Sequence, residues 1–300
     1  MLELFQTVGQ ILVTVFVLTS MANVGLTQKP SRILAHLRNW HFLLAMVLVN
    51  LVVTPALMLL ALQLVDVEPH YATGLLVMGL AAGAPFLIKL TQTSESDLAL
   101  GATVLMVLMV ATVLLMPVML PLLMPGVEVE VWPMVQALLV QMALPLAVGM
   151  LFAQVAQKAA GAIQPWIARV SNIALYGLIV ATLIGYSPAL LDAQLWLALA
   201  VGLVVLVVAF TVGYMMGDGH DHLKDVGGLG TAQRGTAAAL IVATTAFDDP
   251  RVLVVIVILN TLGVVLLIAA ARWMASDGGI QWLSPAGPDM PTRALEGERS

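Results

Sequence analysis

The sequence predicts an all-α integral membrane protein, and three observations carry that reading. The first is composition: 61% of the 300 residues are hydrophobic and 10% charged, with a mean hydropathy of +1.02. Soluble domains sit near half apolar and a quarter charged, so much of this surface must face lipid. The second is segmentation. A helix crosses a bilayer with about 20 apolar residues, and nine runs meet that need: Leu4–Leu26, Phe42–Leu64, Thr73–Leu90, Leu98–Met124, Val135–Val155, Ile173–Leu190, Leu195–Met216, Gly228–Ala246 and Val252–Met274. The third is the placing of the basic residues between those runs.

Lys29, Arg32, Arg38, Lys158, Arg169, Lys224, Arg272, Arg293 and Arg299 fall on one side of the expected membrane, and only Arg251 on the other. Lys and Arg mark the cytoplasmic face. The expected orientation therefore has the N-terminus outside and the C-terminus in the cytoplasm of a cell-membrane protein. Met1 to Thr7 lack the basic start of a cleavable signal, so the first run reads as a true span. The stretch Lys29 to Trp40 mixes Arg32, His36 and Arg38 with Ile33, Leu34 and Leu37; it reads either as an interfacial amphipathic segment or as a basic loop that anchors topology. Residues 1–276 are expected to form the transmembrane domain, and 277–300, rich in Gly, Pro and charge, a disordered cytoplasmic tail. The absence of cysteine excludes disulfides, thiol nucleophiles and Cys-based metal sites. No basic tract points to nucleic acid.

Two spans are unusual. Of the twelve Lys and Arg residues, three fall inside apolar runs: Arg272, which belongs to the cytoplasmic end of the ninth, and Lys89 and Arg234. Each costs about 2.5–3.5 kcal/mol at a helix centre on insertion scales, and no acidic residue lies within a span to offset it. Such a cation is either functional or snorkels to the interface. The third run contains Gly79, Gly83 and Pro85 before Lys89; the eighth, entered from Gly227, contains Gly228, Gly230, Thr231 and Gln233 before Arg234. Gly and Pro weaken helices. Breaks are therefore expected near Gly83–Pro85 and Gly228–Ala232, and broken backbone is tolerated in a bilayer only where protein or a wet cavity surrounds it. Small-residue helix packing would explain the glycines but not the cations. The order continuous, interrupted, continuous occurs in spans two to four and again in seven to nine, with opposite direction, as in an inverted-repeat transporter with two discontinuous crossing helices.

At these residues the chain resembles the bile acid:sodium symporter family. Gly25-Leu26-Thr27-Gln28-Lys29-Pro30 is similar to that family's exit from an early helix. Gly83-Ala84-Pro85 with Ser96-Asp97-Leu98-Ala99-Leu100 resembles its first broken helix and the turn after it. Gly230-Thr231-Ala232-Gln233 with Ala237-Ala238-Ala239-Leu240 resembles its second, and Asn260-Thr261-Leu262-Gly263 the start of the next. The resemblance implies a ten-helix fold of which this chain starts at the second. Spans two, three, four, seven, eight and nine would form a core that moves against a panel of spans one, five and six. It places the family's sodium ligands on Leu87, Ile88, Gly101, Leu105 and Gly228, none with a side-chain oxygen, and hard cations need several oxygens. Sodium sites are thus expected to be lost, with Lys89 and Arg234 supplying the charge. Asn50, Thr231, Gln233 and Asn260 remain as polar substrate-binding candidates beside Lys89 and Arg234, with Gly83, Pro85, Gly228 and Gly230 as the helix-break residues.

The leading expectation is a secondary transporter of small organic anions, sodium-independent or proton-coupled, since two cations without acidic partners want a negative guest. The alternative is a cation/proton antiporter or proton-coupled exchanger on the same fold, with Lys89 carrying the proton. A non-transporting receptor or scaffold has no need of broken helices. Enzymatic activity is not expected: no nucleophile–base pair lies in a span, and no cofactor or metal is implied beyond the weak Gly219-His220-Asp221-His222 loop.

Overall fold

A computed structural model describes residues 2–28, 36–124, 130–217 and 221–276. The tail 277–300, most of the Lys29–Trp40 stretch, and Gly219 and His220 of the Gly219–His222 segment fall outside the described residues. Among the described residues there are helices and no strands.

The helices are α1 (Leu2–Thr27), α2 (Trp40–Leu64), α3 (Pro69–Leu80), α4 (Leu87–Thr93), α5 (Leu98–Leu123), α6 (Val131–Val155), α7 (Gln157–Gly185), α8 (Ala193–Met215), α9 (Asp221–Ala232), α10 (Thr236–Ala246) and α11 (Pro250–Ala275). Seven of them, α1, α2, α5, α6, α7, α8 and α11, are long and apolar enough to cross a membrane. The nine expected spans are therefore not nine long helices. The runs Thr73–Leu90 and Gly228–Ala246 each divide into two short helices, α3 with α4 and α9 with α10. The expected Ile173–Leu190 span also shifts: α7 starts at Gln157, passes through Pro165 and ends at Gly185. The stretch that holds Lys158 and Arg169, expected as a connection between spans, is helical because its other face lies on α1, where Gln164 donates to the Asn23 carboxamide oxygen at 2.8 Å.

Carboxylates start three of the long helices. Asp97 accepts from the amides of Ala99 and Leu100 at 2.9 and 3.0 Å to open α5. Asp192 does the same for α8 through Gln194, and Asp249 for α11 through Arg251, with Pro250 in the first turn where its missing N–H costs nothing. At that second end of the bundle the connections interlock. Arg251 pairs with Glu68 at 2.6 Å and Asp249 at 2.9 Å, His70 meets Asp249 at 2.9 Å, and the Tyr71 hydroxyl donates to Asp192 at 2.9 Å. Burial alone would raise the Asp249 carboxyl, but hydrogen bonds from Arg251 and the nearby His70 hold it below its ordinary value.

α1 lies along α6 and α7, α9 along α8, α3 along α11 and α4 along α5. α3 and α9 enter from opposite ends, so their C-termini meet inside the bundle.

Candidate functional site

Both interruptions are built from backbone that the helices release. α3 stops at Leu80, and the chain runs extended through Ala81 to Gly83, whose φ of +75° is the left-handed region that glycine tolerates. Pro85 lacks an N–H and restarts the chain toward α4. The freed peptide of Ala82 is held by one side chain: the Thr112 hydroxyl on α5 donates to the Ala82 carbonyl and accepts from its amide, each at 3.0 Å. α9 stops at Ala232, and Gln233 to Gly235 cross to α10. The Gly235 amide donates to the Ala81 carbonyl at 2.8 Å, so the two interruptions are bonded where they cross. A Cβ at residue 235 would lie 2.7 Å from the Ala82 oxygen, and only glycine allows that approach.

Arg234 fills the crossing. Its side chain is 1% exposed, and all five of its N–H donors are used. Nε donates to Met78 O at 3.2 Å. One terminal nitrogen donates to Asn50 Oδ1 at 2.7 Å and Thr231 O at 3.1 Å. The other donates to Asn50 O at 3.1 Å and to Gly79 O. No carboxylate is among these partners. Met78 and Gly79 belong to the last turn of α3, and Thr231 to the last turn of α9. Carbonyls in a last turn have no helical partner. Two helix C-termini, each with its partial negative charge, thus face one guanidinium.

The remaining backbone acceptor comes from a deformation of α2. Residues 49–53 form a wide turn, closed by the Thr54 amide bonding Val49 O five residues back. The next residue in that register, Pro55, has no amide to give to Asn50 O. That stranded carbonyl is the one Arg234 takes. The Asn50 amide nitrogen is anchored on Met46 O at 2.9 Å, which turns its carboxamide oxygen toward the guanidinium. Sequence reasoning missed Thr54-Pro55 and Thr112; a proline in mid-span was the available signal for the first, whereas nothing set Thr112 apart from the other threonines.

The structure brings Asn50, Thr231 and Arg234 together. Gln233 is buried in the interruption, and Asn260 accepts from the Thr236 hydroxyl at 2.6 Å, bracing the start of α10. Lys89 is not part of this group: it lies on the exposed face of α4, with no bond to Arg234 or its partners. Gly83 and Pro85 lie in the first interruption. Gly228 and Gly230 do not lie in the second; they are inside α9, and the break comes at 233–235. These glycines serve packing, since a Cβ at 228 would crowd the Phe210 ring at 3.1 Å and one at 230 would crowd Met46 at 3.1 Å. Arg234 also differs from its expected use: with every donor engaged, no N–H points to an incoming anion. The Leu87, Leu105 and Gly228 positions are buried, and a Cβ at residue 230 would lie 3.3 and 3.4 Å from the Val104 and Leu87 side chains.

A family model described as the Sodium Bile acid symporter family matches residues 14–193, more than half of the chain. Among curated proteins, none matches it.

Proposed function

The chain belongs to the sodium bile acid symporter family, and on that premise we propose that it is a secondary transporter of small organic anions that works without sodium. Membership makes it a multi-pass membrane protein of a transporter family. The observation that carries the finer reading is the Arg234 cradle. Broken helices in transporters use freed carbonyls and helix C-termini to hold a coupling cation. Here those groups already hold a guanidinium that is part of the chain and keeps its charge. The oxygen-poor positions Leu87, Ile88, Gly101, Leu105 and Gly228 support the same reading, as does the apolar packing around Gly230.

In this reading α2–α5 and α8–α11 form the moving core within residues 1–276, and α1, α6 and α7 the panel. The N-terminus faces outside and the C-terminus the cytoplasm. Arg234 supplies fixed charge and order to the crossing, while Gln233, Asn260 and the exposed Lys89 are the candidates for substrate contact and Asn50 and Thr231 position Arg234. The test is uptake into proteoliposomes of a panel of organic carboxylates and sulfonates, with sodium replaced by choline at constant pH. Uptake should persist in choline. A collapse in choline, restored by sodium with a saturable dependence, refutes the proposal.

A further inference from the structure

A second polar site lies away from the crossing, at the end of the bundle where α3, α8 and α11 begin. A cavity of about 150 Å³ opens between α1 and α7 on one side and the α10–α11 connection on the other. Its polar lining is Gln10, Thr182, Tyr186, Thr244, Asp248 and Asp249, with no Lys or Arg. Asp249 is engaged by His70 and Arg251. Asp248 makes no ion pair among the described residues.

Thr182 is the informative residue. Many helical threonines in this protein return the hydroxyl to the carbonyl four residues back, as Thr14, Thr211, Thr244 and Thr261 do. Thr182 is 2% exposed, and among the described residues its hydroxyl is the buried side-chain polar atom left without any partner. A buried polar group in that state costs stability unless something answers it. The cavity is several times the share of liquid volume of one water, about 30 Å³, and so admits more than a single solvent molecule.

We propose that this cavity binds the ammonium group of a small organic amine. An ammonium presents three donors and a positive charge, and the lining offers an unpaired hydroxyl, a second hydroxyl and carboxylate oxygens. A carboxylate or sulfonate would meet Asp248 and Asp249 and is repelled. A bare metal ion is a poorer fit, because among the described residues no cluster of three His, Asp or Glu side chains converges. The volume suits a head group carrying a short carbon chain. The proposal is independent of Arg234 and of what the carrier moves.

The experiment is calorimetric titration of the full detergent-purified chain with propylammonium chloride, beside 1-propanol, sodium propionate and sodium chloride. Propylammonium should bind saturably and the other three should not. Asp248→Asn and Thr182→Val should each weaken it about tenfold or more. Thr182→Val exchanges an unpartnered hydroxyl for a methyl, so the variant should fold and melt no lower than the natural chain. The proposal is overturned if propylammonium gives no saturable heat, if both variants bind it unchanged, or if sodium chloride alone matches it, which would mark a metal-ion site.

Discussion

Replacing Arg234 tests whether a side chain has taken the place of a bound cation. The Arg234→Ala change removes five donors and leaves Met78 O, Gly79 O, Thr231 O, Asn50 O and Asn50 Oδ1 facing a void. A buried polar group without a partner costs about 1–3 kcal/mol. Folded proteins hold only about 5–15 kcal/mol in reserve. Even the low end of the first range, applied to five acceptors, lowers the melting temperature by about 10 °C or more at this size. Arg234→Gln should behave alike, since a carboxamide brings two donors, an extra acceptor and no charge. Arg234→Lys keeps the charge between the two helix ends but groups its donors on one nitrogen, and should fall between. The sharper consequence concerns rescue. The vacated cradle is an oxygen shell of the kind hard cations accept. Thermal unfolding of Arg234→Ala, followed by tryptophan fluorescence, should therefore rise in sodium or low-millimolar guanidinium relative to choline. The natural chain should show no such difference. The reasoning is refuted if Arg234→Ala and Arg234→Gln melt within a degree or two of the natural chain, or if no cation distinguishes the Ala variant from it. A melt of Arg234→Lys as low as that of Arg234→Gln would show that charge at the crossing is not what matters.

Two further outcomes follow from single residues. Thr112→Val keeps the shape of the side chain but strands both the amide and the carbonyl of Ala82; it should cost about 1–3 kcal/mol for each group left unmet, measured as a lower melting temperature, whereas exposed Thr211→Val should not move it. Asp97 caps α5, and although burial alone would raise its carboxyl, the amides of Leu100 and Ala99 and the charge of His36 outweigh this and hold it below its ordinary value. Its contribution is complete above the unfolded value of about 3.9 and is lost as pH falls through the depressed folded value. Asp97→Asn, which still caps, should flatten the acid end of the stability profile, and Asp97→Ala should cost about 1 kcal/mol at neutral pH.

Much of this arrangement is legible in the sequence for physical reasons that can be named. A lone arginine in an apolar run is costly enough that its presence requires partners, and that cost pointed to Arg234. Gly83 and Pro85 mark the first interruption because positive φ and a missing N–H are properties of single residues. The second interruption was placed three to five residues early, because glycine has two uses that look alike in a sequence. In α9 it lets helices approach: a Cβ at 228 or 230 would strike Phe210 or Met46. Only Gly235, at the crossing itself, belongs to the break. The partners of Arg234 were mostly illegible, because backbone carbonyls carry no residue identity. Lys89 and Arg234 looked equivalent along the chain, yet one turn of α4 separates a buried face, with Leu87 and Leu90, from the exposed face that carries Lys89.

The placing of Arg234 has a consequence for coupling. A cation that binds and leaves makes the cohesion of the crossing depend on its occupancy, and a gradient of that cation then biases which conformations form. All five acceptors of Arg234 lie on α2, α3 and α9, and its own peptide joins α9 to α10. The side chain therefore ties together elements on the same side of the proposed core–panel boundary and none across it. A ligand with equal affinity for two conformations shifts neither, and a covalently held cation whose partners move with it is the limiting case. In the proposed reading the crossing stays intact while the core moves, and a driving force would enter through groups that change partners between states.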